Sequence, residues 1–179
     1  CHVTTRMNGQ SDTMKRKLNK FDTFVRFNKS ISILNKVSTK KYPSISSKIS
    51  RQKPFGLRTY EKPTGKGKIN FYANKMTGKI EKSSIKKNLN LIGKWKVFIS
   101  MGYGEGGETR EYPRMILGRP ILAPPPSACS ETYLITGAFD SKSEAKNLDL
   151  YLRTKFVRFL VALRKNTQHI TRDRFKFVP

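Results

Sequence analysis

Gly102-Tyr103-Gly104-Glu105-Gly106-Gly107 follows a segment that reads as a strand, and glycines so placed let a backbone approach a nucleotide or S-adenosylmethionine. Such a loop works when a helix N-terminus follows it. Here Pro113, Gly118 and Pro120 arrive instead, so the plainer reading is a loop that faces DNA or solvent. A metal-dependent nuclease would need an acidic residue and then Glu-x-Lys, to hold Mg²⁺ and activate water. Glu131 and Glu144-Ala145-Lys146 match that spacing loosely. Ser141-Lys142-Ser143-Glu144 is also a capping box, which puts Glu144 to work on backbone N–H groups at a helix start. His2 and His169 are the only histidines; they make no metal set and have no Cys or Ser at a spacing that signals nucleophilic catalysis. Cys1 and Cys129 form neither a disulfide framework nor a four-ligand zinc site, and they fit a reducing compartment.

The run Asn166-Thr167-Gln168-His169 has a different character. It is flanked by Arg164, Lys165 and Arg172, so cations suited to phosphate sit beside amides and a ring that can reach a base edge. Gln168 suits adenine. A second such stretch, Tyr103 to Arg119, carries Arg110, Arg114 and Arg119, and an arginine can meet guanine O6 and N7 with two hydrogen bonds where a lysine cannot. The competing reading for Arg110 is an ion pair with Glu108 or Glu111. Arg58, Lys66 and Lys68, in two turn-rich stretches earlier in the chain, complete the side chains expected to meet DNA.

Composition supports a polyanion as the partner. The 179 residues carry 37 Lys and Arg against 12 Asp and Glu, a net charge of +25. That excludes an acidic, halophile-type surface and gives long-range attraction to nucleic acid. The surplus is uneven: residues 1–93 hold 22 basic and 4 acidic side chains, residues 94–179 hold 15 and 8. No run of 18 apolar residues exists to span a membrane, and no apolar stretch follows the N-terminal charges as in a signal peptide. The chain begins at Cys1, so a piece of a longer polypeptide is expected, with any catalytic residues upstream.

The elements that must position these groups follow from pattern. Residues 1–20 read as a solvated basic lead-in, and 21–179 as one domain. Phe21 to Phe27 alternates like a strand. Ile31, Leu34 and Val37 fall at helical spacing after a possible cap at Asn28 or Ser30, and Tyr42-Pro43 ends that helix. Gly65-Lys66-Gly67-Lys68 is a turn, and Ile69–Ala73, Trp95–Ser100 and Thr132–Thr136 are strands. From Ser141, the apolar positions Ala145, Leu148, Leu152, Phe156, Phe159 and Leu163 define one amphipathic helix reaching about Arg164. Phe175–Val178 reads as a last strand. The expected fold class is α+β: a twisted, mixed or antiparallel sheet with a long amphipathic helix near the C-terminus.

Four ordered blocks carry a resemblance. Lys53-Pro54-Phe55-Gly56-Leu57-Arg58-Thr59, Lys96-Val97-Phe98-Ile99-Ser100, Ser130-Glu131-Thr132-Tyr133-Leu134 and Thr154-Lys155-Phe156-Val157-Arg158-Phe159-Leu160 together resemble the C-terminal part of bacterial N6-adenine DNA methyltransferases of restriction–modification systems. The helix ending in Arg164-Lys165-Asn166-Thr167-Gln168-His169-Ile170 and the closing Phe177-Val178-Pro179 look like the end of a target-recognition domain, as in type I specificity subunits. The resemblance runs from about Phe21 to Pro179. It departs from the whole enzyme, because Ala123-Pro124-Pro125-Pro126 does not match the family's catalytic Asn/Asp-Pro-Pro-Tyr/Phe tetrapeptide.

The resemblance therefore implies the DNA-reading module alone, with catalysis in an upstream methyltransferase domain. This piece would bind duplex DNA, hold no cofactor and carry out no methyl transfer, while S-adenosylmethionine serves the parent chain in the bacterial cytoplasm. Two other classes fit the charge: an RNA-binding protein of ribosomal type, and a stand-alone Mg²⁺-dependent nuclease that would depend on Glu131 and Glu144.

Overall fold

The computed structural model describes residues 1–39, 42–102 and 116–179. Residues 1–20, read as a solvated basic lead-in, are largely exposed and carry a hairpin. Strands β1 (His2–Met7) and β2 (Gln10–Lys15) pair antiparallel around Asn8-Gly9. Both turn residues have positive φ, 50° and 76°, which is the backbone a two-residue hairpin turn demands and the reason Asn-Gly suits it. The segment expected as a strand at Phe21 to Phe27 instead runs irregularly against this hairpin. There Arg16 Nη2 donates to the Val25 carbonyl (2.6 Å) and Thr5 Oγ1 to that of Arg26 (3.1 Å). Asn28 then ties the hairpin to the domain, its Nδ2 donating to the carbonyls of Val3 and Asp12.

Helix α1 (Ser30–Thr39) follows, with Leu34 buried as its spacing requires. Strands β3 (Ile69–Ala73) and β4 (Met76–Ile80) form a hairpin, and β5 (Trp95–Ser100) enters the centre of the molecule. Strands β6 (Ile121–Ala123), β7 (Ser127–Cys129) and β8 (Tyr133–Phe139) complete two three-stranded sheets. One has the order β6-β5-β8 and is antiparallel. The other has the order β4-β3-β7, with β3 and β7 parallel. The fold is α+β with mixed and antiparallel sheets.

Alternation along β5 explains how the layers stack. Val97 and Ile99 face a core shared with the helices, while Phe98 faces a second core with Phe71, Ala128 and Cys129 from the other sheet. The β6-β5-β8 sheet is therefore covered on both faces, by helices on one and by the second sheet on the other. Lys96 points the same way as Phe98 and is fully buried. Its Nζ donates to the carbonyls of Lys94 (2.6 Å), Leu91 (2.7 Å) and Ile92 (3.2 Å), so the chain turn before β5 solvates the cation.

The C-terminal helix differs from the single long one that the spacing predicts. Helix α2 (Lys142–Leu152) starts at the Ser141 cap, whose Oγ accepts from Glu144 N and donates to the Glu144 carboxylate. The chain then breaks at Thr154, which is extended and caps α3 (Lys155–Ala162) through a hydrogen bond from Val157 N to its Oγ1. The break shifts the phase of the helix. Val157, Leu160 and Val161 face the core, Phe159 is partly buried, and Phe156 is 40% exposed. Phe175–Val178 is not a strand either. A 3-10 turn over Arg172–Phe175 buries Phe175 and Val178, three residues apart, on one side.

Candidate nucleic-acid interface

Helix α3 delivers the chain to the polar turn. After Arg164, half-buried Lys165 leads into Asn166, Thr167, Gln168 and His169, all four exposed, and Ile170 then returns to the core. The turn is pinned to the end of β5: Gly102 and His169 make an antiparallel bridge, and Ile170 N donates to the Met101 carbonyl at 2.7 Å. Gly102 is also where the glycine-rich stretch begins. The polar turn thus lies beside Gly102, the residue that precedes the second stretch singled out by residue type.

The cations named from the sequence fall in different settings. Arg164 is buried against two carboxylates. It is 6% exposed, with its guanidinium held by Asp22 and Asp173 and lying 4.7 Å from the centre of the Phe177 ring. Arg172, one turn beyond the polar run, is exposed and has no ion pair or hydrogen bond among the described residues. Arg119 is exposed just before β6. Lys66 and Lys68 are exposed in the turn entering β3, where Gly65 and Gly67 adopt the positive φ that turn needs. Arg58 is exposed 3.9 Å from Glu131. Tyr103, Arg110 and Arg114 lie outside the described residues.

Glu131, one of the two carboxylates a nuclease would use, is occupied structurally. Glu131 accepts from Thr59 N and Oγ1 and lies 3.5 Å from Lys53 Nζ. Its burial is outweighed by those hydrogen bonds and by the two cations, which hold its carboxyl below the usual value. Among the described residues no group of three or more His, Cys, Asp or Glu side chains could hold a metal ion. Among them, too, no helix is long and apolar enough to cross a membrane.

Beside the polar turn runs a groove that residue patterns do not reveal. Residues 47–54 lie along the outer edge of β8, where Ser50 N donates to the Ile135 carbonyl (2.8 Å) and Ile135 N to Ser50 Oγ (2.9 Å). Between this segment, β8 and the turn at Lys87-Asn88 is a cleft of about 800 Å³. A smaller cleft of about 340 Å³ adjoins it, bounded by Leu134, Thr171 and Arg172. Both are lined by Ser50, Arg51 and Gln52. The one available signal was the cation-dense run Lys48-Ile49-Ser50-Arg51-Gln52-Lys53 ahead of Pro54. No protein-family model, curated protein or solved structure matches the chain.

Proposed function

We propose that this chain is the duplex-DNA target-recognition module of a restriction–modification adenine-N6 DNA methyltransferase, with methyl transfer supplied by an upstream domain of the parent chain. The observation that carries the reading is the bridge between Gly102 and His169. It sets an exposed run of amides beside the start of a glycine- and arginine-rich stretch, on a protein of net charge +25. In this reading, exposed Arg172 and half-buried Lys165 anchor phosphates, while Asn166 and Gln168 reach base edges in the major groove. The blocks that resemble the methyltransferase family supply the reaction class. S-adenosylmethionine would be held upstream, and this piece would work in the bacterial cytoplasm.

Selection from a pool of randomised duplexes tests the proposal. The wild-type chain should enrich a defined site. Gln168→Ala should lose about 1–3 kcal/mol on that site and little on random DNA, whereas Arg172→Ala should weaken both alike. Failure to enrich any duplex, or tighter binding to structured RNA than to every duplex, overturns it.

A further inference from the structure

We propose that the groove between residues 47–54 and β8 binds the sugar-phosphate backbone of duplex DNA that flanks the site read at the polar turn. This extension rests on the DNA-binding reading above. The two clefts share Ser50, Arg51 and Gln52, so they form one path from Lys87 past Arg51 to Arg172, which stands beside the turn.

The charge along that path is one-sided. Lys48, Arg51, Lys53 and Lys87 line the larger cleft, and Glu144 is the only carboxylate among the described residues that line it. Glu144 already accepts a hydrogen bond from Ser141 Oγ at 2.7 Å, and Lys53 is engaged by Glu131. Lys48, Arg51 and Lys87 are exposed and make no ion pair or hydrogen bond among the described residues. Their concave setting has apolar walls, Leu91 and Phe139 among them, and a cleft with one sign of charge and low-dielectric walls concentrates the field on an incoming anion.

The frame is also fixed before any ligand arrives. Ser50 is bonded twice to Ile135, and Asn88 Nδ2 donates to the Pro54 carbonyl at 2.6 Å, bracing the two banks together. From Lys48 to Lys53 the chain spans at most about 18 Å. A duplex presents one phosphate charge every ~1.7 Å of its axis, so a path of this length faces several phosphates. A backbone track needs cations with freedom to follow phosphates and no base-specific geometry, and three exposed side chains on the two braced banks provide that.

The test compares the triple variant Lys48→Ala/Arg51→Ala/Lys87→Ala with a charge-matched control, Lys75→Ala/Lys82→Ala/Lys146→Ala, whose residues are exposed outside the groove. Binding is measured on duplexes of about 10 and about 25 base pairs, one and roughly two and a half helical turns. The wild type should gain affinity with length. The groove triple should lose most of that gain, with the slope of log K against log salt falling by about 2.5–3 and affinity dropping roughly 100-fold at ~0.1 M salt. The control should stay within a few-fold of wild type, and site preference should survive in both. Unchanged thermal transitions verify the folds, and Arg51→Lys should restore most of the loss from Arg51→Ala. If the wild type binds duplex and both triples lose equally, or neither loses, the groove assignment falls and the reading of the turn stands. If the wild type binds no duplex, both fall together.

Discussion

Arg164 donates through Nη1 and Nη2 to the two carboxylate oxygens of Asp22, a residue 142 positions earlier in the chain. The same guanidinium reaches the Asp173 carboxylate through Nη2 (3.2 Å) and the Asp173 carbonyl through Nε (3.0 Å). Lys176 joins from outside, with Nζ 2.6 Å from Asp173 and 3.3 Å from Asp22. A buried cation stays charged only with such compensation, so this cluster fastens the segment before α1 to the C-terminal turn.

Acid should loosen that fastening. The hydrogen bond from Arg164 is the main reason the Asp22 carboxyl is held down to about 2, against an ordinary 3.8. Between those values the unfolded chain binds more protons than the folded one. The contribution is therefore complete above about pH 4 and disappears as pH falls through 2. Asp22 is half exposed, so solvent screening limits its worth. Asp22→Asn should destabilise the protein by about 1–2 kcal/mol at pH 7, and the gap to wild type should close near pH 2. Denaturant titrations across that range measure it; a gap independent of pH would show that the carboxylate charge does no work.

The helix break makes a sharp contrast between neighbours. Leu160 is fully buried, while Phe156, one turn earlier in α3, is 40% exposed. Leu160→Ala should cost about 2–5 kcal/mol, and Phe156→Ala less than about 1 kcal/mol. Equal costs in urea unfolding would restore the single continuous helix.

Lys96 should leave a signature at alkaline pH. Removal from water, which the three carbonyl acceptors offset only in part, pushes its ammonium down to about 8 from 10.5. Between those values the unfolded state holds the extra proton, so stability contributed by this group rises with pH. Relative to Lys96→Met, the wild type should gain about 2 kcal/mol from pH 8 to pH 10. The variant itself should be less stable at every pH, because the Lys94 carbonyl is stripped of the Nζ donor that lies 2.6 Å away. A constant difference across that range would place the lysine's proton elsewhere.

How much was legible depends on whether the deciding force was local. Ile69–Ala73 and Trp95–Ser100 are strands with the bounds their patterning indicates, and Ser141 caps its helix through Glu144 N, although the Glu144 carboxylate accepts from Ser141 Oγ rather than from the backbone N–H groups expected of it. The Asn8-Gly9 hairpin was also visible in principle, since that dipeptide is the strongest short-range turn signal, but the surrounding charge masked it. Thr154 hid in the same way. The spacing of Leu148, Leu152, Phe156 and Phe159 continues through it, and a capping threonine is indistinguishable from a helical one until the next turn chooses its face.

By itself, the sequence determined the α+β class, the central strands, the first helix, the start of the second and the overwhelming positive charge. Each follows from neighbours within a few residues or from a simple sum. Only tertiary structure decided which cations are buried against carboxylates and which are exposed. Arg164 and Arg172 look alike in sequence, yet one is buried against Asp22 and Asp173 while the other is exposed beside a groove. The partners that separate them come from distant parts of the chain, and a side chain's electrostatic role depends on the charges and the dielectric that folding places around it.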